Sequence, residues 1–125
     1  MFNIEKDSKG NYQIVEILSN QQLHMKFIKE KDGLYSININ LYENRIKNLS
    51  KENKEDSPSI SASILGMKMF KALEKKVLED NNNKNIVIYC TWFNEKNKKV
   101  YYDFLSQYGY EYNKINNKDC IMKKY

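Results

Sequence analysis

The sequence predicts an α/β (α+β) domain with a mixed, mainly antiparallel sheet and two main helices. Three observations carry this. Leu23–Glu30 and Leu34–Leu41 alternate apolar and polar residues on either side of Asp32-Gly33, the period-two pattern of a hairpin. Ser59–Asp80 repeats Ala62, Leu65, Met69, Leu73 and Val77 at steps of three and four, the stripe of an amphipathic helix. Ile86–Phe93 is apolar on both of its alternating faces, as an interior strand covered on both sides, or nearly so, would be, and a second helix pattern follows it.

The elements can be justified in chain order. Tyr12–Leu18 carries the β-formers Tyr12, Ile14, Val15 and Ile17 and reads as a strand. In the hairpin, the loop length decides which faces match. A two-residue Asp32-Gly33 loop sets Phe27 opposite Asn38 and Met25 opposite Asn40. A three-residue Lys31-Asp32-Gly33 loop sets Phe27 opposite Ile37, Met25 opposite Ile39 and Leu23 opposite Leu41, and is the one expected. His24 then falls on the more polar face.

Asn44–Ser57 is rich in Lys, Glu, Asn and Ser and is expected to be an exposed connection, with a weak helix around Glu43–Leu49 as an option. In the long helix, Phe70 and Leu78 flank the apolar stripe, while Lys68, Lys71, Lys75 and Glu79 fall off it, and Asn81-Asn82-Asn83 ends it. Asn94 is placed to N-cap the second helix, Glu95–Tyr108, and Gly109 to terminate it. Tyr110–Lys114 and Asp119–Lys124 read as two short strands around Asn116-Asn117.

Size and composition exclude several classes. A chain of 125 residues fits a single domain, residues 1–125, and 41% hydrophobic residues suffice for one core. No apolar run approaches the roughly 20 residues of a membrane span. Met1–Asp7 lacks the basic and apolar stretches of a secretory signal, so a cytoplasmic location without membrane attachment is expected. Two cysteines, Cys90 and Cys120, make no disulfide scaffold, and one histidine, His24, makes no metal cluster, so no metal is expected. Over-use of Asn, Lys, Ile and Tyr, whose codons are A/T-rich, suggests a bacterial or phage genome.

Charge is uneven. Residues 1–56 are net neutral, and residues 57–125 carry the whole excess of +5. A basic half favours a phosphate-bearing partner, although a solvated surface is the plainer account of most of these lysines. Nucleic acid is not the expected partner: Arg45 is the only arginine, and arginine dominates base contacts. Lys96, Lys98 and Lys99 also sit at a helix start, where the dipole disfavours cations.

From Leu23 to Tyr125 the element order resembles the GNAT superfamily of N-acetyltransferases, with the two helices between that family's first and second strands missing. Two motifs carry the resemblance. The family's pyrophosphate loop, Arg/Gln-x-x-Gly-x-Gly/Ala at the start of its central helix, falls on Ser61-Ala62-Ser63-Ile64-Leu65-Gly66. Gly66 matches the last position, while Ile64 and Ser61 replace the first glycine and the Arg or Gln. The family's Tyr-x-x-x-Gly-Phe/Tyr falls on Leu105–Tyr110, where Gly109-Tyr110 matches and Leu105 replaces the tyrosine.

The resemblance implies an acyl-CoA N-acyltransferase-like fold and acetyl-CoA as cofactor. Leu41, Ser61, Ser63, Gly66, Met67 and Lys68 would bind it. Tyr101, one turn before Leu105 on the same helix face, would protonate the leaving thiolate, and Glu43 would act as base. A packed aromatic and a solvated glutamate are the plainer accounts of those two. Cys90 could line a thioester site or simply pack. The acceptor would be a small-molecule or protein amine. The alternative is a catalytically inactive GNAT-like module that binds a protein. A homodimer through the last strands would be in keeping with the family.

Two starts for the central helix stay open. With Ser57 as N-cap and Pro58 in the first turn, Gly66 falls mid-helix. A start near Ser63–Gly66, the one preferred, would leave N–H groups free for a pyrophosphate.

Overall fold

The protein is described by a computed structural model covering residues 2–18, 21–43, 51–52, 60–92 and 94–125. Eight strands and two α-helices follow the order β1 (Glu5–Lys6), β2 (Tyr12–Leu18), β3 (Gln21–Lys31), β4 (Leu34–Glu43), β5 (Lys51–Glu52), α1 (Ile60–Asp80), β6 (Val87–Cys90), α2 (Glu95–Leu105), β7 (Glu111–Ile115) and β8 (Lys118–Lys124). The strands form one mixed sheet in the order β1-β2-β3-β4-β6-β8-β7, with β5 on the edge of β4. Only the β4–β6 junction is parallel. The fold is therefore α+β with a mainly antiparallel sheet, as expected.

The hairpin register agrees with the sequence expectation, but the turn that sets it differs. Phe27 faces Ile37, Met25 faces Ile39 and Leu23 faces Leu41. Lys31 pairs with Leu34, so the turn is the two residues Asp32-Gly33, not three. The extra residue lies upstream: Lys29 pairs with Tyr35, and Glu30 bulges between the two pairs. A bulge in the strand shifts the register by one residue just as a longer loop would. Gly33 takes φ +79°, and a Cβ there would lie 2.6 Å from the Asn85 carbonyl oxygen. Glycine is thus required where the hairpin meets the chain entering β6, and the Gly33 carbonyl accepts the Val87 N–H at 2.8 Å.

Helix α1 begins at Ile60, so Gly66 lies in its second turn and the later start is corrected. The apolar stripe runs through this start: Leu65 packs against the core one turn before the fully buried Met69. The proposed caps Ser57 and Pro58, most of the Asn44–Ser57 connection and the optional Glu43–Leu49 helix lie outside the described residues. Within that connection, Lys51–Glu52 pairs with Tyr42 and Glu43 of β4. Helix α2 has its predicted cap, with the Asn94 side chain accepting the Asn97 N–H at 2.9 Å. It ends in a 3₁₀ turn, Ser106–Tyr108, closed by Gly109 at φ +88°. Asn116 and Asn117 both adopt positive φ, the geometry of a tight β7–β8 hairpin turn.

Both crossovers, β4-α1-β6 and β6-α2-β7, step across the sheet in one direction. The right-handed rule then puts both helices on one face. The Phe70 ring of α1 and the Phe104 ring of α2 meet there at 5.6 Å. Tyr12, Met25, Phe27, Ile88, Ile121, Met69 and Leu73 form the core between helices and sheet. Among the described residues no helix covers the opposite face. For residues 86–93 the strand is interior, between β4 and β8, as expected, but the expectation of cover on both sides is corrected. Ile86, Ile88 and Cys90 are buried towards the helices, Val87 and Tyr89 are only half-buried, and the strand ends at Cys90.

Candidate functional site

The parallel junction is short. β4 and β6 pair at Leu34–Val87, Tyr35–Ile88 and Ser36–Tyr89. β4 continues to Glu43, whereas β6 stops at Cys90 and the chain turns off towards α2. A cleft of about 370 Å³ opens where the two strands part. That volume is within the range of small-molecule sites, about 300–1,000 Å³.

Strand pleating gives the cleft two walls. On the helix side it is lined by Ile37, Ile39, Cys90 and Tyr101. On the open side the lining includes Ile28, Glu30, Ser36, Tyr89, Lys118 and Cys120. The first wall is apolar apart from a thiol and a phenol; the second carries charge of both signs.

The titratable groups of the helix-side wall hold their protons. Burial pushes the Tyr101 phenol up to about 12, and the neighbouring Cys90 adds to it. Burial likewise pushes the Cys90 thiol up to about 12, and that thiol donates to the Thr91 carbonyl oxygen at 3.3 Å. Cys90 is thus a packed thiol on the cleft wall, not a thiolate nucleophile. On the open side, the Tyr89 hydroxyl donates to Glu30 Oε1 at 3.0 Å. Burial and this carboxylate together raise the Tyr89 pKa.

Of the residues singled out from sequence, Tyr101 and Cys90 line the cleft. Leu41 is a core residue at the far end of the hairpin, opposite Leu23. A Cβ at Gly66 would stand 3.6 Å from the Leu23 side chain, so Gly66 and Leu41 flank the same leucine. Ser63 and Lys68 are exposed and Met67 is half-buried. Glu43 ends β4 and Ser61 lies in the first turn of α1; their side chains lie outside the described residues. In a helix starting at Ile60, the N–H groups left without an i−4 carbonyl include those of Ile60, Ser61 and Ala62, whereas the Gly66 N–H points back to the Ala62 carbonyl.

Sequence reasoning missed Glu30, Tyr89 and Lys118. All three line the cleft, where the Tyr89–Glu30 bond reaches from β6 across β4 to the bulge, and no local pattern announces that. It also missed Glu74, which lies 6% exposed on α1. Glu74 accepts the Tyr125 hydroxyl and the Lys71 ammonium, and Tyr125 bonds Tyr110 at 2.8 Å. The lysine cluster on α2 is engaged locally: Lys99 pairs with Asp103 at 2.8 Å, and Lys98 lies 5.3 Å from the centres of the Trp92 and Tyr112 rings.

Comparison with protein-family models, with curated proteins and with solved structures returns no match. No helix among the described residues is long and apolar enough to cross a membrane.

Proposed function

We propose that this chain is an acetyl-CoA-dependent N-acetyltransferase-like protein acting on an amine, with an acyl-CoA N-acyltransferase-like arrangement of its sheet. The observation that carries the reading is the cleft where β4 and β6 part, with Tyr101 on its wall. In the family the sequence resembles, the coenzyme's pantetheine arm lies in such a gap between two parallel strands. The strand order and the placement of α1 between β4 and β6 support the same reading.

The coenzyme would supply the acetyl group as a thioester. The helix-side wall of Ile37 and Ile39 would exclude water from that thioester. Tyr101 keeps its proton at neutral pH and could donate it to a departing sulfur. Anionic groups of the coenzyme would meet the N–H groups of Ile60, Ser61 and Ala62 rather than those of Ser63–Gly66.

Calorimetric titration with acetyl-CoA tests the reading; absence of heat at millimolar ligand sinks it. If the ligand binds, Tyr101→Phe is expected to lower turnover while leaving acetyl-CoA affinity unchanged.

A catalytically inactive, protein-binding form of the same fold is the second reading. It is favoured by Leu105, which is fully buried where the motif has its tyrosine, and by the exposed Val15 and Ile17 on the open face. A strict monomer in light scattering would remove its self-associating version.

A further inference from the structure

The cleft has a floor at the point where β4 and β6 part. Their register runs Leu34–Val87, Tyr35–Ile88 and Ser36–Tyr89. One step further it sets Ile37 beside Cys90, on strands about 4.8 Å apart. Both side chains belong to the main core on the helix side, Ile37 at 7% and Cys90 at 2% exposure. Both also line the cleft, so they are core residues that close its inner end. Beyond them β4 continues through Ile39, whereas β6 has ended.

Tyr101 stands next to this floor. The Cys90 thiol bears on its phenol electrostatically, which requires the two groups to be neighbours. A phenol that protonates a departing sulfur must come within about 3 Å of it. The acyl carbon is bonded to that same sulfur. A donor's acyl group thus begins beside Tyr101 and has Cys90 and Ile37 beneath it.

We infer that Ile37 and Cys90 limit the donor's acyl group to two carbons, so that the chain selects acetyl over propionyl and longer thioesters. This limit on the donor rests on the acetyl-transfer reading. In that reaction the amine nitrogen bonds the acyl carbon and the carbon–sulfur bond breaks. The sulfur takes the Tyr101 proton, the amine gives one up to solvent, and solvent restores Tyr101. Neither floor residue enters these steps; each acts by its volume. Packed cores resist added volume, and one surplus methylene against an apolar wall changes discrimination by about 10- to 200-fold.

The test is a calorimetric series on the full chain with coenzyme A, acetyl-CoA, propionyl-CoA and butyryl-CoA. Acetyl-CoA is expected to bind about tenfold more tightly than propionyl-CoA, and butyryl-CoA to bind more weakly still. Ile37→Val removes one methylene from the floor, and Cys90→Ala removes one sulfur atom. Each should bring propionyl-CoA to within about twofold of acetyl-CoA. Ile88→Val makes the same small cut in the core, at a fully buried side chain that does not line the cleft, and should leave the acetyl preference as it was. Melting temperatures verify that the three variants fold. Wild type binding butyryl-CoA as tightly as acetyl-CoA overturns the inference. So does an acetyl preference that survives both floor substitutions, or one lost equally in Ile88→Val. In each of those results the coenzyme still binds, and the acetyl-transfer reading stands. No heat with any of the four ligands sinks that reading, and the floor's role with it.

Discussion

The two faces of this sheet are made by the same strands yet have opposite characters. On the helix-covered face, Phe27, Ile88 and Ile121 are fully buried against α1 and α2. On the other face, Val15 and Ile17 of β2 are 39% and 70% exposed. Alternation alone sends neighbours to opposite sides; what differs is whether a helix is there to meet them. The cleft draws on both faces for a single site, because the sheet itself opens there.

The largest test of that contrast is on the covered face. Phe70 is wholly buried and touches the rings of Phe27, Phe104, Tyr108 and Tyr110. Phe70→Ala should cost about 3–5 kcal/mol in a denaturant titration. Glu74 is the polar exception on that side. Glu74→Ala would leave the partly buried hydroxyl pair of Tyr125 and Tyr110 without its carboxylate, at a cost of about 1–3 kcal/mol. Glu74→Gln, which keeps an acceptor, should recover part of that loss.

At the rim of the covered face, Asp80 accepts the Tyr12 hydroxyl at 2.7 Å. That bond, with Lys76 and Lys6 nearby, holds the Asp80 carboxyl below its ordinary 3.8. A folded pKa below the unfolded one means the stabilisation is present above about 3.8 and is lost as pH falls through the folded value. The stability curves of wild type and Asp80→Asn should therefore differ at neutral pH and converge in acid. Parallel curves would show that the bond does not form in solution.

Gly66 gives an effect of opposite sign. It is mid-helix without positive φ, and an added Cβ makes only an ordinary contact with Leu23. Gly66→Ala should stabilise the fold by about 0.5–1 kcal/mol. A loss instead would mean that the backbone needs that space. The smallest effect belongs to the open face, where Ile17→Thr should change stability by no more than about 0.5 kcal/mol. A larger loss would show that something covers that face in solution.

Much of this was legible from the chain. Repeated spacings marked α1, the hairpin register and β2, and single residues with definite backbone chemistry marked the ends: Asn94 as a cap, Gly109 in the left-handed region. Reading failed where a position is decided by a distant partner. The bulge at Glu30 and the longer loop give the same facing pairs, so periodicity could not separate them. β1 and β5 are two residues each, too short to show any period. Of the candidate site, Tyr101 and Cys90 were found from sequence.

By itself, then, the sequence determined the longer elements, their order and the apolar side of α1 and of the hairpin strands, because those depend on neighbours one to four residues apart. It could not determine how far β4 and β6 stay paired, or that the Tyr89 hydroxyl would reach Glu30 beside that opening. These depend on where three strands and the α2 connection cross in space. A side chain's chemistry is written in the chain, but its surroundings are set by residues far along it, as Glu30 and Tyr89, 59 positions apart, show.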